Sequence, residues 1–179
     1  MIWLTGDTHF YHENILRFCS RPFDTIGEHD EALINNWNSV VSKDDSVYHL
    51  GDLTLGGHAQ AVNVLCRLNG DVRILAYPFH HDRRWLGPIL KGKVTHTATG
   101  VVVLEQQIVR LSLGETNVYL CHFPLGEWPQ KHYGAVHAHA HSHGNYKGEG
   151  RIVDVGVDCH GYFPVSIERV VQIGEQKGY

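Results

Sequence analysis

The sequence predicts an α/β fold of one domain, in which two packed sheets are flanked by helices. Three observations predict it. The first half alternates strand-like and helix-like runs at the spacing of parallel βαβ units. The second half holds strand-like runs joined by short turns, which favours antiparallel or mixed pairing. The chain has 179 residues, 42% hydrophobic and 19% charged, which suits one packed core better than two.

Met1–Thr5 reads as a short buried strand that stops at Gly6-Asp7. From Glu28 to Val41, apolar Ala32, Leu33, Trp37 and Val40 recur at helical spacing and predict an amphipathic helix. Ser46–Leu50 is a second strand, again ending in Gly-Asp. His58 to Leu68 reads as a second helix, closed by Asn69-Gly70, and Val72–Ala76 as a third strand, closed by Pro78. Val101–Glu105, Gln107–Leu113 and Asn117–Cys121 follow as strands, with the clearest alternation in the middle run. Ile152–Val157 is another strand, and Ser166–Ile173 a last helix or strand. No internal repeat or linker divides the chain, so residues 1–179 are read as a single domain.

Composition excludes several classes of function. No stretch approaches the apolar run that a membrane span needs. Met1 to Leu4 lead into polar residues with no basic region before them, which is no signal peptide, and a cytoplasmic protein is expected. Cys19, Cys66, Cys121 and Cys159 form no CxxC pair and read as reduced thiols rather than a zinc knuckle or disulfide framework. A formal charge of -4 argues against a surface dominated by nucleic-acid backbone contacts, leaving nucleic acid or a nucleotide as substrate only. The unusual number is 15 histidines, spread from His9 to His160 rather than gathered in a tag. Histidine is the commonest metal ligand.

Metal-type residues fall repeatedly at the ends of expected strands. Asp7 and His9 follow the first, Asp52 the second, and His80, His81 and Asp82 the third. His122 follows the strand ending at Cys121, and His139, His141 and His143 precede the strand at Ile152. In open α/β sheets ligands bind beyond the carboxyl ends of the strands, so motifs remote in sequence converge there. The alternating histidines from His137 to His143 would span about 20 Å if extended at roughly 3.3 Å per residue, so either the segment bends or only one end binds. Carboxylates and imidazoles without thiolate suit manganese, zinc, iron or nickel. The supply of ligands exceeds what one ion needs, and two ions sharing a carboxylate would clamp a phosphoryl group.

The order Asp7-x-His9, Gly51-Asp52, His80-His81-Asp82, His122 and His141-x-His143 resembles the calcineurin-like metallophosphoesterase superfamily. Thr5-Gly-Asp-Thr-His-Phe, Asn35-Asn-Trp-Asn, Tyr48-His-Leu-Gly-Asp and His141-Ser-His-Gly resemble its small bacterial and phage members, and the likeness runs from Ile2 to about Ser166. It implies a four-layer αββα sandwich and two divalent metal ions. Asp7, His9 and His143 would hold the first, His122 and His141 the second, and Asp52 would bridge both. The third motif is usually Gly-Asn-His-Asp with asparagine as a ligand. Here Phe79 and His80 stand at the first two positions, and His80 would offer an imidazole nitrogen in place of the amide oxygen. Ala140 stands where the last motif usually has glycine.

The implied activity is hydrolysis of a phosphate ester, with a hydroxide held between the metals attacking phosphorus. His81 is the expected general acid, with Asp82 orienting its ring. Asn14, Arg17 and Arg21 are candidate phosphate contacts, and arginine suits that role by its bidentate fork. Trp128 and Tyr133 are placed either in packing or as a stacking platform. A phosphodiester is favoured on analogy, and the same core would serve a phosphomonoesterase or phosphoprotein phosphatase. A non-catalytic metal-binding interaction module is the rival class. His137, His139 and His160 are left without roles.

Overall fold

The computed structural model describes residues 1–75, 81–90, 102–104 and 106–178. Elements run in the order β1 (Ile2–Thr5), α1 (Glu13–Phe18), α2 (Ile26–Val40), β2 (Ser46–His49), α3 (His58–Leu65), β3 (Asp71–Leu75), α4 (Arg83–Leu90) and β4 (Val102–Leu104). Then follow β5 (Val109–Leu113), β6 (Thr116–Leu120), β7 (Val136–His139), β8 (Ile152–Asp154), β9 (Val165–Ser166) and α5 (Ile167–Lys177). The expected strand ends at Ala76, Val101 and Glu105, and the closing Pro78, lie outside the described residues. α1, α4 and β9 have no counterpart in the sequence reading, and the strand expected over Ile152–Val157 ends at Asp154.

One sheet has the order β4-β3-β2-β1-β9 and is parallel except for β9. The other has the order β5-β6-β7-β8, with β5 antiparallel to β6 and the remaining pairs parallel. The chain is therefore an α/β fold with two mixed sheets; β4, which the sequence groups with the later strands, instead joins the first sheet parallel to β3. Strand alternation assigns the layers. In β1, Trp3 packs with the helical layer and Leu4 with the core between the sheets. Val47, Val72 and Ile74 join Leu33, Trp37, Val64 and Trp85 under α2, α3 and α4. Leu4, Leu75, Val118, Leu120, Val136 and Val153 form the inter-sheet core. α5 joins that core through Ile167, Val170 and Val171, and its Gly174 sits where a Cβ would come within 2.9 Å of Val136. Tyr119, Ile152, Trp128 and Ala135 form a third cluster around β6 and β8.

Local chemistry sets the helix starts. Thr25 Oγ1 accepts from the Glu28 N–H at the head of α2, and Glu28 reaches back to the Asp24 N–H. Ser166 caps α5 by accepting from the Arg169 N–H. No described helix is long and apolar enough to cross a membrane.

Candidate metal centre

The first strands deliver their acidic residues through interlocked loops. Past β1 and β2 the backbones stay paired, with Asp7 N donating to Gly51 O (3.1 Å), His9 N to Asp52 O (3.0 Å) and Phe10 N to Leu53 O (2.9 Å). This register carries Asp7, His9 and Asp52 to one point. His49 fixes the turn from below. Its Nδ1 accepts from the Gly51 N–H at 3.2 Å, so its Nε2–H donates to Thr8 Oγ1 at 3.0 Å, and the Thr8 hydroxyl donates to Leu53 O. The two sheets meet closely here. A Cβ on Gly6 would lie 2.7 Å from Ala140 Cβ, and one on Gly156 would lie 2.9 Å from Asp7 Oδ2.

The second sheet supplies the imidazoles. His122 Nδ1–H donates to Leu50 O at 2.9 Å, which leaves Nε2 facing Asp52 Oδ2 at 3.8 Å and His141 Nδ1 at 3.1 Å. Beyond β7 the chain bends, and Asp154 holds the bend by accepting from Ser142 Oγ, Gly144 N and Gly156 N. The bend resolves the histidine row, because His141 and His143 reach the centre while His137 and His139 do not. His137 donates from Nδ1 to Tyr119 O and accepts from Leu125 N, His139 donates to Ala140 O, and His160 donates to Asp154 O.

Asp7, His9 and His143 bring one ligand atom each to within 4.8 Å of one another, and so do Asp52, His122 and His141. Asp52 also lies 3.7 Å from His9 Nε2, which ties the two groups together. Both carboxylate oxygens of Asp7 and the Nε2 of His9 are buried without a hydrogen-bond partner among the described residues. Burial pushes the Asp7 carboxyl well above the usual carboxylate range, against the pull of His143, and the Asp52 charge adds to the rise. Burial likewise holds the His9 ring well below its usual range, against the pull of Asp52. Buried anions and lone pairs without donors fit a cation. Asp7, His9, Asp52, His141 and His143 all adopt positive φ, between 46° and 68°. Such backbone costs of order 1 kcal/mol or more per non-glycine residue and clusters at functional sites.

Partners behind these side chains fix their tautomers. His143 Nδ1 donates to Asp158 Oδ2 at 2.7 Å. Burial alone would raise Asp158, but His143 and Arg21 outweigh it and hold the carboxyl at about 2. Arg21 grips Asp158 with Nε and Nη2 and also donates to Thr8 O, Asp7 O and His29 Nε2. Arg21 is thus a buried clamp on the Asp7 loop, with its donors engaged inside the protein, which corrects its reading as a substrate contact. His12 Nδ1 lies 3.4 Å from His9 Nδ1 and accepts from it whenever His9 offers a bare Nε2.

Two cavities flank the centre and share Asp52, His81 and His141. One, of about 360 Å³, is lined also by Leu55, Arg83, Arg84 and Phe123. The other, of about 630 Å³, is lined also by His9, His12, Phe18, Cys19, His143 and Asn145, among others. His81 is exposed at their common edge, 5.3 Å from His9 ring to ring. Asp82 is not its partner. It is buried, accepting from Leu53 N, Thr54 N and Trp85 Nε1, so it anchors the loop that carries Asp52. Burial raises its carboxyl to about 6.

Asn14 and Arg17 are exposed on α1 and line neither cavity, and Arg17 lies over the Phe18 ring. Phe79 and His80 lie outside the described residues. Trp128 packs over Tyr119 with Nε1 on Ala135 O, and Tyr133 is 89% exposed beside Gln130, so neither lines the crevice. Phe18 and Phe123 hold the aromatic positions there instead. Cys19 also stands close to His143 and Asp158, a sulfur that the thiol-free reading omits.

No protein-family model matches the chain. It is 29% identical to an uncharacterized protein of Methanocaldococcus jannaschii, over 98% of this chain and 92% of that one. It is 28% identical to the gene 66 protein of Mycobacterium phage L5, over 89% of this chain and 87% of that one. The counterpart in phage D29 is 26% identical over 79% of this chain and 78% of its own length. Among solved structures, a protein of unknown function from Aquifex aeolicus superposes with a TM-score of 0.71, covering 97% of this chain and 98% of that one at 19% identity. That likeness establishes the fold alone.

Proposed function

We propose that the chain is a calcineurin-like metallophosphoesterase that hydrolyses phosphate esters, phosphodiesters foremost, with two divalent metal ions. The observation that carries the reading is the pair of ligand groups joined at Asp52, with buried Asp7 oxygens and His9 Nε2 left without partners. The two sheets with α2, α3 and α4 on one side support the sandwich of that superfamily.

Asp7, His9 and His143 would hold one ion, His122 and His141 the other, and Asp52 both; manganese, zinc, iron or nickel suits this donor set. Ions bound there supply charge neutralisation at the phosphoryl oxygens and an activated water as nucleophile. The chain's own residues do the rest. Asp158 and Leu50 O hold the Nδ1–H of His143 and His122, so each ring presents Nε2 inward. His81, exposed between the cavities, donates its proton to the ester oxygen as the phosphorus–oxygen bond breaks, so the alcohol leaves neutral.

The test is metal analysis after reconstitution, paired with hydrolysis of 4-nitrophenyl phosphate and bis(4-nitrophenyl) phosphate. The expected result is about two ions per chain, turnover that needs them, and faster cleavage of the diester. Two tightly held ions with no hydrolysis of either ester would instead favour a non-catalytic binding module.

A further inference from the structure

The crevice is chemically lopsided. On the α4 side, Arg83 and Arg84 are adjacent, both exposed, and both line the cavity of about 360 Å³ that includes Asp52 and His141. On the opposite side, the cavity of about 630 Å³ is lined by Ile15, Phe18, Cys19, Ser20 and Asn145 with the histidines, and by no lysine or arginine.

Arg21, Arg67 and Arg73 each hold a carboxylate, on Asp158, Glu31 and Asp71. Arg83 and Arg84 have no ion pair among the described residues, in a chain with 19 acidic and 15 Lys and Arg side chains. Both side chains line the one cavity, and their planar guanidinium forks match phosphate oxygens. The reacting phosphoryl group already has an electrostatic partner in the proposed ions. A cavity of about 360 Å³ leaves room beside it for a further charged group.

We propose that Arg83 and Arg84 bind a second phosphate on the substrate, carried by the arm of the ester that extends toward α4. The other arm is uncharged and lies over Phe18. The substrate class is thus a phosphate ester of an already phosphorylated alcohol, such as a nucleoside bearing phosphate at both ends of its sugar. This rests on the phosphoesterase reading and goes further by naming the substrate and its orientation.

The test compares thymidine 5′-(4-nitrophenyl phosphate) with the same compound carrying a 3′-phosphate, on manganese-reconstituted protein. The 3′-phosphate is expected to raise kcat/KM about tenfold or more, mainly through KM, as a charge-assisted pair warrants. In R83A/R84A that ratio falls to near one, while R83K/R84K keeps part of it. A ratio near one in the wild type, or one unchanged in R83A/R84A, overturns the proposal.

Calorimetry with thymidine 3′,5′-bisphosphate and thymidine 5′-monophosphate gives a readout independent of turnover, with circular dichroism reporting the fold of each variant. If neither chromogenic ester is cleaved, the phosphoesterase reading falls by itself. Arginine-dependent preference for the bisphosphate then still sustains the anion site, and equal affinity for the two nucleotides overturns it.

Discussion

His12 follows His9 by three residues in a loop that no periodicity marks, and its ring reaches Nδ1 of the His9 imidazole. Burial holds it below its usual range, and His81 and Arg21 add to that, which keeps it neutral and able to accept. Carboxylate or carbonyl partners of ligand histidines commonly contribute 10–100-fold to metal affinity. His12→Ala is therefore expected to weaken the ion at Asp7, His9 and His143 by about that factor, while the Asp52, His122 and His141 group keeps its own. Competition with a chelating dye, resolved into two affinities, measures this. Equal weakening of both sites, or of neither, would remove His12 from the role. Arg21 has the opposite lesson. Its motif position suggested a phosphate contact, yet its main partner Asp158 lies 137 residues away, a separation that no local pattern reveals.

At the scale of elements, the loop after β2 carries Asp52, the carboxylate proposed to bridge the ions, and is held from α4's side by Asp82. Asp82 receives two backbone N–H groups and one indole N–H, three of the roughly four donors a carboxylate can accept. Asp82→Asn replaces one accepting oxygen with a donor and detaches part of that loop. Metal occupancy and activity are expected to fall together, as elemental analysis beside kinetics would record. Turnover lost at full occupancy would restore Asp82 to a role in proton transfer. The strand ends were legible in the sequence because β1, β2 and β6 are short apolar runs stopped by Gly-Asp or by His122. From them came Asp7, His9, Asp52 and His122, with His141 and His143 recognised by their motif. α1 and α4, of six and eight residues, are too short for a clear period, so Phe18, Cys19, Arg83 and Arg84 stayed hidden with them.

For the whole molecule, buried histidines set the acid limit of stability. Burial lowers His49 to about 3 and His137 to about 4, far below the usual 6.5. The unfolded chain takes up these protons below about pH 6.5 while the native state refuses them, so stability is present above that pH and is lost as pH falls toward 4. Each histidine contributes roughly 1 kcal/mol per pH unit within the window. Asp82, raised to about 6, has the reverse sign: its native carboxyl takes a proton between about 6 and 3.8, which offsets part of the loss. Urea denaturation of chelator-treated protein between pH 7 and 4.5 should show the decline, and His137→Gln should make it shallower. Parallel profiles for the two proteins would show that His137 does not set the limit.

Asp7, His9 and Asp52 follow β1 and β2 of one sheet, and His122, His141 and His143 follow β6 and β7 of the other. The described ligands thus span residues 7 to 143, and neither half holds a complete pair of coordination groups. On the proposed reading, a chain released from the ribosome before its last third is made carries carboxylates but no competent centre. Activity then becomes a checkpoint on finished synthesis: truncated products remain inert, and the ion works as a rivet that is set last, once both plates are in register.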